Sequence, residues 1–264
     1  EAQISACFDL TLMGQAHWYL STRINQTANF DITLDQSRYC LSIIRRYLDS
    51  VGCPNVVREH TTPLPLDFVP TADDNSIDEA TAEKLSSEFN LDFASCVGAL
   101  IYLALSRIDI MHAVNKMAKY TRRPGRNHFN ALIHVLRYLR DHAYLGITFY
   151  SDVERSPIHL MLRNSESVPE LFKELFITFS DSSWNDDVDT GRSTGSYLIS
   201  YMGGIVDHSS NMPDPVALSS AKRSITKLVL RAWRRITCRC CWMNWKEIRS
   251  LVYEFLWFSI AKVQ

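Results

Sequence analysis

No glycine-rich phosphate loop of the Gly-x-x-x-x-Gly-Lys type occurs in the 264 residues, which argues against a nucleotide hydrolase of that class. Ser219-Ser220 lacks flanking nucleophile-elbow glycines, so no serine hydrolase is indicated. His128 and His134 are six apart on one helical pattern and do not form His-Glu-x-x-His. His17, His112, His142 and His208 have no obvious partners, and solvated or hydrogen-bonded histidines are the simplest reading. The seven cysteines are Cys7, Cys40, Cys53, Cys96, Cys238, Cys240 and Cys241. An odd, scattered set makes no disulfide framework, so reduced thiols in a cytoplasmic or nuclear chain are expected. Cys238-x-Cys240-Cys241 lacks a second pair, and no zinc site is expected there. The start, "EAQISACFDL", lacks a basic segment, a long apolar core and a methionine. A fragment without a secretory signal is expected. The late run "LVYEFLWFSIAKV" is too short to span a membrane and holds Glu254. Neither a membrane nor a small-molecule substrate is therefore expected as a partner.

What is present is ordinary in bulk and uneven in charge. Apolar residues make up 46% and charged residues 22%, as in globular proteins. The formal net charge of −1 hides opposed blocks. Asp67 to Asp92 carries eight acids and one lysine, Arg107 to Asp141 eight basic residues and two acids, and Lys222 to Gln264 ten basic residues and two acids. Such asymmetry suggests nucleic-acid contact or a fused foreign segment.

"HWYLSTRINQ" and "NFDITL" read as a hairpin turning near Thr27-Ala28. Asp35 should cap a helix, "QSRYCLSIIRRYLDSVG", with an apolar stripe of Tyr39, Leu41, Ile43, Ile44, Tyr47 and Leu48, stopped by Gly52 and Pro54. "TTPLPLDFVPTADDNS" reads as an extended linker, its acidic run as a solvated loop. From Asp92 two helices follow with a break at Arg107 to Asp109, the second ended by Pro124-Gly125. A third, "RNHFNALIHVLRYLRDH", has Phe129, Leu132, Ile133, Leu136 and Leu139 on one face. The period then becomes two. "LGITFY", "PIHLML", "LFITFSD", "STGSYLISYMG" and "GIVDHSS" read as strands of an antiparallel meander, with Gly203-Gly204 as a tight turn. The fold class is α+β. A domain boundary near Tyr144 divides a helical, basic region, 1–143, from a β-rich one, 144–221.

Two features carry chemistry. Lys116, Lys119, Arg122, Arg123 and Arg126 cluster around one helix end, and Arg137 and Arg140 lie on the next helix. This surface would track a phosphate backbone or simply be a solvated face. Tyr120 and Tyr138 would stack on bases or sit in the core. The second feature is Asp181 in "FITFSDSSWNDD", on one strand face with Ile177 and Phe179. A carboxylate there needs a metal ion, a lysine, a backbone amide or solvent. Asp186, Asp187 and Asp189 fall in the following turn, where acids are usually solvated turn formers.

Asp181 also opens a recognisable order of motifs. Ser180-Asp181-Ser182-Ser183-Trp184, Arg192-Ser193-Thr194-Gly195-Ser196-Tyr197, Gly203-Gly204 and Val216 to Ala221 resemble the start of the ribonuclease H domain in copia-type LTR-retrotransposon Pol polyproteins. Upstream, "LMGQAHWYLSTRI" is similar to the stretch after that family's polymerase palm, with Gln15 and Ser21 as departures. "VGALIYLALSRIDIMHAVNKMAKYTRRPGRNHFNALIHVLRYLRDHAYLGITF" is similar to its thumb and connection region, with Ile108 where proline is usual. The resemblance covers about Phe8 to Ala221.

The resemblance implies the C-terminal part of a reverse transcriptase over 1–143, with a β-hairpin, thumb and connection. A truncated ribonuclease H-like meander would follow over 144–221. Asp181 would be the first Mg²⁺ ligand. The family's next catalytic residue, a glutamate in a Glu-Ala-Glu-Tyr run, is matched by Ser224, with Lys222 and Arg223 beside it. No aspartate follows Asp214. The paired palm aspartates would lie upstream of Glu1. An intact relative would hold a template–primer duplex and hydrolyse RNA in an RNA–DNA hybrid. Here no catalysis and no productively bound Mg²⁺ are expected, with weak, non-specific binding of hybrid or duplex through Lys116 to Arg140. A host-recruited binding module is the alternative. The segment 222–264 leaves the family pattern abruptly and holds four of the six tryptophans. It reads as a frameshift or read-through product, or as a lineage-specific helical extension.

Overall fold

The computed structural model describes residues 16–51, 59–66, 68–76, 78–163, 176–182, 187–192 and 194–211. Gly52, Pro54, Trp184, Ser193, Val216 to Ala221, Ser224 and the whole 222–264 segment lie outside them.

Local chemistry sets the first elements. β1 (Trp18–Tyr19) turns into β2 (Thr22–Gln26) through Leu20 and Ser21, both in the left-handed region (φ 46° and 64°). That two-residue turn suits the twist of a hairpin. β2 pairs antiparallel with β3 (Ile32–Asp35), Gln26 opposite Ile32. The Asp35 carboxylate accepts the Ser37 N–H and hydroxyl at 3.1 and 2.6 Å and the Arg23 Nε–H at 2.8 Å. The expected cap is therefore made, from the last residue of the strand rather than from the helix N-cap, which is Gln36. α1 (Ser37–Ile43) runs on as a π-helical stretch, Ile44–Leu48, and a 3-10 turn, Asp49–Val51.

One helix lies where the sequence reading made no assignment. α2 (Glu79–Phe89) follows the residues read as a loop. Asp78 caps it by accepting the Thr81 N–H at 2.7 Å, and Asn90 ends it at φ 47°. α2 packs a short apolar stripe of Ala82, Leu85 and Phe89 toward the core, of which only Ala82 is buried. α3 (Phe93–Leu103), capped by Asp92, a 3-10 turn at Ile108–Ile110, α4 (Met111–Ala118) and α5 (Arg126–Asp141) follow as expected. α5 buries all five residues assigned to its apolar face. Phe93, Leu100, Met117, Phe129 and Leu136 are among the core residues that join these helices. Cys40 and Cys96 are free and buried there, and burial pushes the Cys40 thiol up to about 11.

The β region needs correcting. β4 (Ile147–Phe149) does not join the later meander. It pairs with β3, Thr33 opposite Thr148, giving a sheet of order β1-β2-β3-β4. "PIHLML" is not a strand but α6 (Pro157–Arg163). Ile158, Leu160 and Leu162 imitate a strand period, but Ser156-Pro157 is a helix-start signature. The Ser156 hydroxyl accepts the His159 N–H at 3.2 Å, and Leu160 N–H donates to Ser156 O. β5 (Phe176–Ser182), β6 (Gly195–Tyr201) and β7 (Gly204–Asn211) form the antiparallel meander, in that order. Its β6–β7 turn is Met202-Gly203 (φ 50° and 77°), one residue earlier than expected, and Gly204 opens β7. That turn meets the end of β4, where Tyr150 N–H donates to Met202 O at 2.9 Å. Among the described residues no helix is long and apolar enough to cross a membrane.

Candidate functional site

The basic residues gather where α4 passes into α5. α4 ends at Ala118, and the chain turns through Pro124-Gly125. Gly125 is forced by sterics: a Cβ there would fall 1.5 Å from the Asp74 carbonyl oxygen. His128 Nδ1 accepts the Gly125 N–H at 3.0 Å, and the His128 ring stacks on Tyr120 at 4.1 Å. Tyr120 is thereby a core residue, buried with His128. Burial holds His128 below its ordinary pKa.

Arg122, Arg123 and Arg126 are exposed at this junction. Arg126 makes a bidentate pair with Glu88 (2.7 and 2.6 Å) and lies 5.5 Å over the Phe89 ring. Arg122 Nε donates to Glu79 at 3.0 Å, and Lys119 Nζ to Asp187 at 3.0 Å. Lys116 is half-buried on α4. Arg137 and Arg140 are half-buried farther along α5, about 16 and 21 Å of helical rise from Arg126. Arg140 Nε donates to Asp141 at 3.1 Å, and that carboxylate also accepts the His60 N–H at 2.9 Å. His142 lies on the same segment, its Nε2 2.9 Å from His60 O, so it is a hydrogen-bonded histidine. The seven cations thus fall into a junction group and a group at the other end of α5.

Asp181 stands exposed near the end of β5. Its register places Ser196 opposite on β6, with Ser210 beyond it on β7. Ile177 on the same face is buried. Among the described residues no three His, Cys, Asp or Glu side chains converge into a metal-holding group. The described residues opposite Asp181 in register are the serines Ser196 and Ser210, whereas a pair of Mg²⁺ ions needs several carboxylates from different elements.

Asp186 lies outside the described residues, and the other two turn acids are not merely solvated. Asp187 is buried, and it accepts from Lys119 and from the Thr190 hydroxyl. Burial opposes its ionisation, but those bonds outweigh it and hold its pKa below the ordinary carboxylate value. Asp189 accepts the Ala72 N–H at 2.8 Å and the Tyr120 hydroxyl at 3.0 Å. The two acids fasten the β5–β6 connection to the helices. An ion pair at the α3–α4 break, buried Arg107 with Asp109, also escapes the sequence reading, although the Arg-x-Asp spacing there is visible.

The chain is 28% identical over 230 residues to an uncharacterized mitochondrial protein of Arabidopsis thaliana, covering 87% of this chain and 81% of that protein. It is 25% identical over 224 residues to the retrovirus-related Pol polyprotein from transposon TNT 1-94 of Nicotiana tabacum, covering 84% of this chain and 15% of that one. It is 32% identical over 112 residues to the retrovirus-related Pol polyprotein from transposon RE2 of Arabidopsis thaliana, covering 42% of this chain and 6% of that one. Two of these relatives are retrovirus-related Pol polyproteins from transposons, and the chain resembles the copia-type Pol family at modest identity. It spans only a small part of the two copia-type polyproteins. No family model and no solved structure matches it.

Asp181 is the described residue that the resemblance assigns to Mg²⁺. The motif residues Trp184, Ser193, Val216 to Ala221 and Ser224 lie outside the described residues.

Proposed function

We propose that this chain is a nucleic-acid-contacting, non-catalytic portion of a copia-type Pol polyprotein. It carries the C-terminal elements of the reverse transcriptase and an incomplete ribonuclease H-like sheet. The exposed Arg122–Arg123–Arg126 group carries the binding part of this reading. Guanidinium groups match phosphate oxygens bidentately, and several on one surface follow a backbone without reading bases. The absence of catalysis follows from residue chemistry. Ser224 takes the place of the second acid, flanked by Lys222 and Arg223. A serine hydroxyl is a poor substitute for a carboxylate as a Mg²⁺ ligand, and adjacent cations repel the metal.

Binding of the purified chain to a labelled RNA–DNA hybrid tests this. Neutralising three phosphates predicts an affinity loss of roughly forty-fold between 50 and 200 mM salt. Charge reversal of Arg122, Arg123 and Arg126 should abolish the salt-dependent part, and flat binding across those variants overturns the reading. With Mg²⁺ added, the hybrid should stay intact. Cleavage that disappears in Asp181→Asn would show a working nuclease.

A second reading is a stand-alone, host-recruited binding chain. The mitochondrial relative favours it, because 81% of that protein's length aligns.

A further inference from the structure

Three cations at the α4–α5 junction, Lys119, Arg122 and Arg126, are held by acids of the same chain. Glu79 and Glu88 stand at opposite ends of α2, nine residues and about 13 Å of rise apart. Each meets an arginine: Arg122 at 3.0 Å and Arg126 through two bonds of 2.7 and 2.6 Å. Asp187, from the β5–β6 connection, meets Lys119 at 3.0 Å. The block of eight acids and the block of eight basic residues, read separately in the sequence, are thus brought face to face.

We infer that α2 is an intramolecular mask over the nucleic-acid surface: Glu79 occupies the Arg122 Nε–H and Glu88 the Arg126 Nη1/Nη2 edge, and phosphate takes those donors only by displacing the carboxylates. The inference rests on the proposed nucleic-acid contact and adds its regulation. A carboxylate presents to guanidinium the same two-oxygen acceptor edge as a phosphate does. One guanidinium edge cannot serve both in the same geometry.

The mask is soft by construction. The side chains of Arg122 and Glu79 are 86% and 63% exposed, and those of Arg126 and Glu88 56% and 52%. Exposed pairs of this kind resist displacement by only about 1.5- to 5-fold each. The Lys119–Asp187 pair is more enclosed and also orders a turn, so the α2 pairs are the better probe.

The test measures binding of the full chain to a labelled RNA–DNA hybrid at 100 mM salt. E79Q/E88Q keeps helix propensity and should bind roughly 3- to 20-fold more tightly than the parent. Asp49→Asn with Glu154→Gln makes the same charge change at exposed sites outside these pairs and should shift affinity by less than about two-fold. In an Arg122→Gln, Arg126→Gln background the gain from E79Q/E88Q should vanish. If E79Q/E88Q binds no better than the charge-matched control while the parent binds with salt dependence, the mask is wrong and the nucleic-acid reading stands. If neither parent nor any variant binds with salt dependence, both fall. A silent parent with a binding E79Q/E88Q supports the mask.

Discussion

Arg107 and Asp109, two residues apart at the α3–α4 break, close a two-pronged ion pair: Nη2 to Oδ2 at 2.6 Å and Nε to Oδ1 at 2.9 Å. Arg107 is 2% exposed and also donates to His142 O at 2.8 Å. The Tyr138 hydroxyl donates to the same carboxylate at 2.9 Å, and burial with that charge pushes Tyr138 up to about 12. The pair therefore ties the helix break to the end of α5.

Asp109→Asn should destabilise the fold by roughly 3 kcal/mol, because it leaves a buried guanidinium uncompensated. Arg107→Met should cost less, since Asp109 is 29% exposed and reaches water. Urea midpoints rank the two, and the reverse order would refute the account.

Two glycines predict opposite signs. Gly125→Ala drives a Cβ into the Asp74 carbonyl and should cost roughly 1–3 kcal/mol, through overpacking alone. Gly98 lies within α3 with nothing within 4 Å of its Cβ position. Gly98→Ala should therefore stabilise by about 1 kcal/mol. Thermal melts of the two variants should move in opposite directions.

Stability should fall with acid in two stages. Burial lowers the pKa of His128, His134 and His208 from 6.5. A lowered value means that their contribution is complete above about 6.5 and is lost as pH falls through the folded values. The carboxylates of Asp31, Asp35, Asp141 and Asp187 are also lowered, from 3.8. For Asp31 the Ser151 N–H and then Arg155 are the cause. For Asp35 burial opposes, but Ser37 and Arg23 outweigh it. Their contribution is lost below about pH 4. Urea midpoints from pH 8 to 3 should show both steps, and His134→Asn should shrink only the first.

Tyr120→Phe should loosen the β5–β6 connection. Its hydroxyl lies 3.0 Å from both Pro70 O and Asp189 Oδ2 and shares its one proton between them. Leaving those acceptors unmet should cost roughly 1–2 kcal/mol. Hydrogen exchange in residues 187–192 should rise in the variant, and unchanged exchange would remove the tether.

Legibility followed the strength of local signals. α5 was readable because every third or fourth residue is apolar, and those positions are the buried ones. The β2–β3 hairpin and β5–β7 were readable from alternation and turn residues. α2 was not, because its stripe of Ala82, Leu85 and Phe89 is short and set among acidic and polar residues. α6 was misread because alternation outweighed the Ser-Pro start that decided it. The partner of β4 was hidden too, since alternation identifies a strand but does not say which neighbour it joins.

At the site, residue types were visible and their partners were not. The sequence by itself determined the family, through ordered motifs, and the long helices, through periodicity over neighbouring residues. Only the tertiary structure decided which charges meet. Arg126 and Glu88 are 38 residues apart and Lys119 and Asp187 are 68 apart. Contact across such separations depends on the path of the folded chain. For that reason a surface that reads as bare positive charge is, in three dimensions, partly matched by its own acids.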